Sequence, residues 1–321
     1  MTRLLPAAVL ILSTALLRRL LRRVLPQRLL VFCWLLCLGI LLSPWELRSP
    51  LSLYRLLPKA PPRQLAAVLA ALPGGLCRAV SLVLIAVLGA AYIRALLRFH
   101  RAAPVTAEAV HRWQAQHPLR RPLQIRADAR VQTPACCGVL FPVILLPEAL
   151  CSADEATLDC VLSHEYCHIL HFDPLWKLLS LICLCLYWYL PPVWLLFVLL
   201  SRDLEFACDE DVLRSGVPDR RYCRTLLTLA LTRGAPGTLT AHFAAGQVGR
   251  RVDRMLRRPG KPAAQALAAA LLLTLTLGLA ALPPVTVPPK AAPVQLISDH
   301  RVLTVPALAQ DRAVITPEEV P

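Results

Sequence analysis

The sequence predicts a mainly α-helical membrane protein: four transmembrane helices, a cytoplasmic α+β domain, and a re-entrant or interfacial helical hairpin within that domain. Three observations carry this expectation. Hydrophobic residues make up 56% of the 321-residue chain, and mean hydropathy is +0.55, well above soluble proteins. Four stretches approach the roughly 20 apolar residues that a bilayer core requires. Between the third and the fourth lies a polar block of domain size with both helical and strand patterning.

The candidate spans are residues 4–21, 29–45, 79–97 and 263–282. Arg18 and Arg19 sit near the end of the first, where long side chains snorkel to the interface. "RRLLRRVLPQR" follows where a signal peptide would carry a small-residue cleavage site, so the segment reads as a retained anchor. Basic residues crowd the loop after it (Arg18, Arg19, Arg22, Arg23, Arg28) and the approach to the last span (Arg250, Arg251, Arg254, Arg257, Arg258, Lys261). With four crossings, the positive-inside rule places residues 99–262 in the cytoplasm and both termini outside the cell membrane. The net charge of +15 accompanies no nucleic-acid recognition motif, and basic clusters beside spans serve topology and anionic lipid. Twelve scattered cysteines form no paired framework.

The block divides into a membrane region (1–98), the cytoplasmic domain (99–262), the fourth span, and a Pro-rich tail (283–321). Within the domain, "TAEAVHRWQAQH" reads as a polar helix, and "LQIRADARVQTPACCGVLFPVILLPEAL" as two or three short strands between Pro and Gly signals. "SADEATLDCVLSHEYCHILH" follows as a helix, with Ser152 and Glu155 forming an expected capping box. "SRDLEFACDEDVLRSG" is a second polar helix ending at Gly216, and "RRYCRTLLTLALTR" a third. Residues 173–203 would score as a fifth span. Crossing once would strand the two sides of any shared site on opposite faces, and Pro191 and Pro192 interrupt the run, so a hairpin that dips in and returns is expected.

"HEYCH" carries the chemistry. His164 and His168, four apart on one helical face, can turn ring nitrogens to one ion, and Glu165 can act as general base on a water there. One zinc per chain is the expected cofactor. The third ligand is not His at the tenth position after His164, where Pro174 stands. Asp173 lies close by, but Glu205 in "LEFACDEDVL" is the better candidate, with Asp209 four residues on as a supporting carboxylate. Cys167 and Cys208 each lie three residues from a better ligand.

The order of these features resembles the BlaR/MecR-type family of integral-membrane zinc metallopeptidases. "LRSPLSLY", "GVLFPVILLPEAL", "LSHEYCHILHFDPLWK", "WYLPPVWL", "RDLEFACDEDVL", "RYCRTLLTLA" and "GRRVDRMLRRP" carry the likeness across most of residues 1–285. The resemblance implies His164, His168 and Glu205 as zinc ligands, Glu165 as catalytic base and Asp209 as support. It also implies a gluzincin-like arrangement with a substrate-binding strand above the HExxH helix. That strand is expected in the apolar run 139–146, through Val139, Leu140, Val143 and Ile144. Leu190, Phe141, Leu170 and His171 depart from the family's usual residues, and nothing after residue 284 offers the Ser-x-x-Lys of a penicillin-binding sensor domain. The expected activity is therefore cleavage of a protein substrate, with a transcriptional repressor or the chain itself as candidates; the sequence leaves the oligomeric state open, a homodimer being one option. The rival is a catalytically silent transducer that keeps the fold.

Overall fold

A computed structural model of the chain describes residues 4–21, 25–42, 74–232, 248–256, 270, 294–298 and 301–305. Residues 3–283 form one compact unit and 284–321 a second, in which two antiparallel strands run Val294–Ser298 and Arg301–Val305.

In the larger unit α1 (Leu4–Leu21) and α2 (Gln27–Leu42) are followed by α3 (Gly74–Arg101). Only α3, among the described residues, is by itself long and apolar enough to cross a bilayer. Its Leu82, Val83, Val87 and Ile93 are exposed side chains, as a lipid-facing helix requires. At about 1.5 Å per residue, α2's 16 residues reach roughly 24 Å, short of a hydrocarbon core of about 30 Å. The expectation of four spans is thus met in part, and the fourth candidate, 263–282, lies outside the described residues except for residue 270.

A short strand β1 (Ala103–Pro104) and α4 (Glu108–Gln116) lead into β2 (Gln124–Asp128), β3 (Ala135–Cys137) and β4 (Val143–Pro147). The sheet order is β1-β2-β4-β3, with β4 parallel to β2 and antiparallel to β3. Ile144 pairs with Ile125 on one side and Cys136 on the other. The turn between β3 and β4 depends on Gly138 at φ +87, where a Cβ would lie 2.4 Å from the Phe141 carbonyl oxygen.

The HExxH helix α5 (Glu155–Leu170) packs on this sheet through Leu158, Val161, Leu162 and Ile169. Its N-cap is Asp154, whose carboxylate accepts from the Thr157 amide at 3.0 Å. The capping box expected at Ser152 is not formed, because the Ser152 hydroxyl instead donates back to the Ala149 carbonyl. Phe172 then adopts a left-handed φ of 58, and the chain turns by 58° into α6 (Asp173–Leu186). Arg121 steadies this strained turn: it stacks on Phe172 at 4.1 Å and donates to the Ile169 and Val139 carbonyls.

Helix α7 runs from Pro191 to Arg214 without a break. Proline is tolerated in a first helical turn, where no amide partner is needed, so Pro191 and Pro192 start a helix rather than interrupt one. The polar helix expected from Ser201 is the second half of this single helix, and Gly216 at φ +99 closes it. Helices α6 and α7 therefore form a hairpin, and together with α1 and α2 they enclose one apolar core around Trp34, Leu38, Leu196 and Leu200. Helix α8 (Asp219–Thr232) and the following helix α9 (residues 248–255) pack on α5 and α7 through Tyr222, Leu226, Cys208 and Val248.

Candidate metal centre

The hairpin returns α7 to the face of α5. The Glu205 carboxylate consequently lies 3.5 Å from His164 Nε2 and 3.6 Å from His168 Nε2. Tetrahedral ligands with bonds of about 2.0–2.1 Å stand about 3.4 Å apart, and each imidazole–carboxylate separation matches that spacing, one through Oε2 and the other through Oε1 of Glu205. The rings meet edge to face, with centroids 4.7 Å apart, as two imidazoles aimed at a common point do.

Each imidazole is oriented from behind. His168 Nδ1 pairs with Asp173 Oδ2 at 2.6 Å, on the ring side away from Glu205. Asp173 thus engages the Nδ1 side of His168, and Glu205 faces the Nε2 side. His164 Nδ1 meets the Tyr222 hydroxyl at 2.8 Å, and that hydroxyl donates to Asp209 Oδ1 at 2.8 Å. Burial first, then the Asp209 charge, pushes the Tyr222 phenol well above its ordinary pKa, so it keeps its proton. With that proton given to Asp209, the phenol oxygen accepts from His164 Nδ1–H, which makes Nε2 the acceptor nitrogen; Arg251 Nη2 lies 3.3 Å from it. Arg251 of α9 holds both Asp209 oxygens, Oδ2 through Nε at 2.8 Å and Oδ1 through Nη2 at 2.5 Å.

Two cations face the ligand cluster. Lys177 Nζ donates to Glu205 Oε1 at 3.0 Å, and Arg251 Nη1 lies 3.6 Å from Oε2. Burial alone would raise the Glu205 pKa, but the charges of His168 and Lys177 hold it well below the usual carboxylate range. The site's carboxylate is ionised, as a ligand must be.

These groups line a cavity of ≈ 550 Å³ together with Pro134 and with Ala135 and Cys136 of strand β3. Glu165 opens onto it and faces β3: burial and then the Glu165 charge push the Cys136 thiol well up. The expectation for the substrate strand needs correcting here. Val143 and Ile144 lie in β4, which is paired on both sides and wholly buried, so it has no free main-chain edge. Val139 and Leu140 lie in the turn before it. The sheet edge beside α5 is β3.

Two other thiol clusters are excluded by their partners. Cys208 approaches His164 and His168, but its thiol donates to the His164 carbonyl at 3.1 Å and is pushed well up by burial. Cys167, His171 and Asp211 converge as well, yet Arg28 already bonds all three, at 3.3, 2.7 and 2.7 Å. All twelve cysteines are free thiols.

The family model described as BlaR1 peptidase M56 matches residues 1–255. The chain belongs to that peptidase family. Over 87 residues it is 34% identical to the "Regulatory protein BlaR1" of Bacillus licheniformis, covering 26% of this chain and 14% of that relative. The match thus spans about one-seventh of the relative's length. Membership carries peptidase-type function and membrane association; Tyr222, Arg251, Lys177 and the orienting role of Asp173 come from the geometry. The M56 segment holds both Tyr222, in "RYC", and Arg251, in "GRRVDRM", which sequence reasoning had assigned to a helix and to a topogenic cluster.

Proposed function

We propose that this M56 protein is a membrane-embedded, zinc-dependent endopeptidase that cleaves a protein substrate at the cytoplasmic face, in regulated proteolysis of a repressor or of the chain itself. The observation that carries the reading is the convergence of His164, His168 and Glu205 beside Glu165, in a cavity walled by an open strand edge. His164, His168 and Glu205 would hold the ion. Bound zinc would supply Lewis acidity toward the scissile carbonyl and lower the pKa of water to about 7. Strand β3 binds the substrate backbone by main-chain hydrogen bonds along its outer edge, in the mode of strand addition. Glu165 takes the proton of the attacking water and returns it to the departing amine. Tyr222 and Asp173 keep both imidazoles in the tautomer that presents Nε2.

The second reading, a catalytically silent transducer, is favoured by Lys177 and Arg251, which already neutralise the ligand cluster. Metal analysis of the purified protein separates the two. About one zinc per chain, lost in His164→Ala, His168→Ala and Glu205→Ala, supports the peptidase. Glu165→Gln should keep the zinc and lose most turnover, since a positioned general base contributes about 10²–10⁴-fold. A metal-free wild type, or full activity without Glu165, refutes it.

A further inference from the structure

The metal cavity continues along α5. A second cavity of ≈ 430 Å³ lies one to two turns nearer the helix start, lined by Asp154 and Thr157 of α5 and by Arg220, Arg221 and Arg224 of α8. Thr225 and Leu229 wall both cavities, so the two form successive stations of one groove between α5 and α8. The groove is strongly basic. Among the described residues Arg220 and Arg224 have no acidic partner. The one acid lining the second cavity, Asp154, is committed to capping Thr157, and the neighbouring Arg221 helps to hold its carboxyl low after those bonds. Arg202 and Arg250 line the metal cavity itself, and they too lack an acidic partner among the described residues.

Resting on the peptidase reading, we infer that this groove selects an acidic stretch of the substrate chain, with Arg220, Arg221 and Arg224 as specificity-determining residues. Asp154 and Thr157 precede His164 by 10 and 7 residues, about 10–15 Å along a helix. An extended peptide covers that distance in about three to five residues. Aspartate or glutamate is therefore favoured three to five positions from the scissile bond, on one side of it. A peptide fits this surface better than anionic lipid does. The arginines sit at the start of α5, and the apolar hairpin begins at its other end, 16 residues or about 24 Å away.

The test uses the full-length, zinc-loaded protein in phosphatidylcholine nanodiscs and matched fluorogenic peptides bearing Asp, Asn or Lys at those positions. Each acidic residue should raise kcat/KM about two- to fivefold, the range for exposed ion pairs, and the gain should vanish in about 1 M salt. Arg220→Glu/Arg224→Glu should reverse the order toward Lys peptides. Fluorescence anisotropy of the same peptides on the Glu165→Gln protein reads the preference without turnover and should give the same order. Equal handling of the Asp and Asn peptides, in an enzyme that cleaves both, overturns this inference and leaves the peptidase reading intact. Failure to bind or cleave any peptide overturns both. If the double variant changes only the response to added phosphatidylserine, the groove is a lipid site and the inference falls.

Discussion

Asp203 is wholly buried, and it lies two residues before Glu205 on the same helix. Arg18 of α1 donates to it through Nε at 2.7 Å and Nη2 at 2.6 Å, and Trp34 of α2 donates at 2.7 Å. Replacing Arg18 by Leu leaves a buried carboxylate with the indole as its remaining partner. Breaking a buried pair from one side costs about 3–5 kcal/mol, because the orphaned charge stays desolvated. At roughly 2–4 °C per kcal/mol for a domain of this size, the apparent melting temperature should fall by about 6–20 °C. Arg18→Leu/Asp203→Leu removes both charges and should recover most of that loss, since apolar replacement of a whole buried pair is often neutral. The assay is thermal unfolding in detergent, with zinc content followed in parallel. Zinc should be lost from the single variant at temperatures where the double variant retains it. Equal melting temperatures for the single variant and the wild type would refute the argument, as would a double variant no better than the single.

Tyr222→Phe removes the hydroxyl between Asp209 and His164 and should weaken zinc binding about 10–100-fold, read by competition with a chromogenic chelator; unchanged affinity would remove Tyr222 from the orienting set. Burial depresses the His168 imidazolium, but the Glu205 charge and bonds to Asp173 and Glu205 outweigh it and raise its pKa from 6.5 to about 10. In the metal-free protein that cation's stabilising contribution is whole below 6.5 and is lost as pH rises through about 10. Zinc needs the neutral ring, so affinity should climb with pH across this window and loading near neutrality should release a proton; calorimetric enthalpies that do not vary with the buffer's protonation enthalpy would contradict this. Gly138→Ala drives a Cβ onto the Phe141 carbonyl and should displace β3, impairing peptide cleavage much more than zinc content; equal loss of both would mean the turn serves folding alone.

Much of the site was legible because its spacing is local. His164, Glu165 and His168 share one helical face by arithmetic, and Glu205 and Asp209 repeat the same four-residue interval. What escaped was assembled from separate elements: Tyr222 and Arg251 reach Asp209 from α8 and α9, and no periodicity links them to it. Asp173 was visible, but its role depends on the left-handed turn at Phe172, which no residue preference announces. The substrate strand was misplaced for a reason available in the sequence. "VILLP" is apolar at every position, the mark of a strand covered on both faces, and such strands run through the middle of a sheet. Hydropathy also could not separate helices that face lipid from helices that face each other. α1 and α2 carry the composition of spans but bury Leu10, Ile11, Trp34 and Leu38 against α6 and α7.

The unbroken course of α7 makes it a drive shaft. Its first half is gripped inside the apolar bundle and its second half carries Glu205, with no joint between them. Side-chain ends ride about 5–6 Å from a helix axis, so a turn of about 20° at Leu196 sweeps the Glu205 carboxylate by about 2 Å. That is the length of a zinc–oxygen bond. Torque applied to the apolar bundle would therefore reach the Glu205 carboxylate at full amplitude without bending any part of the peptidase domain.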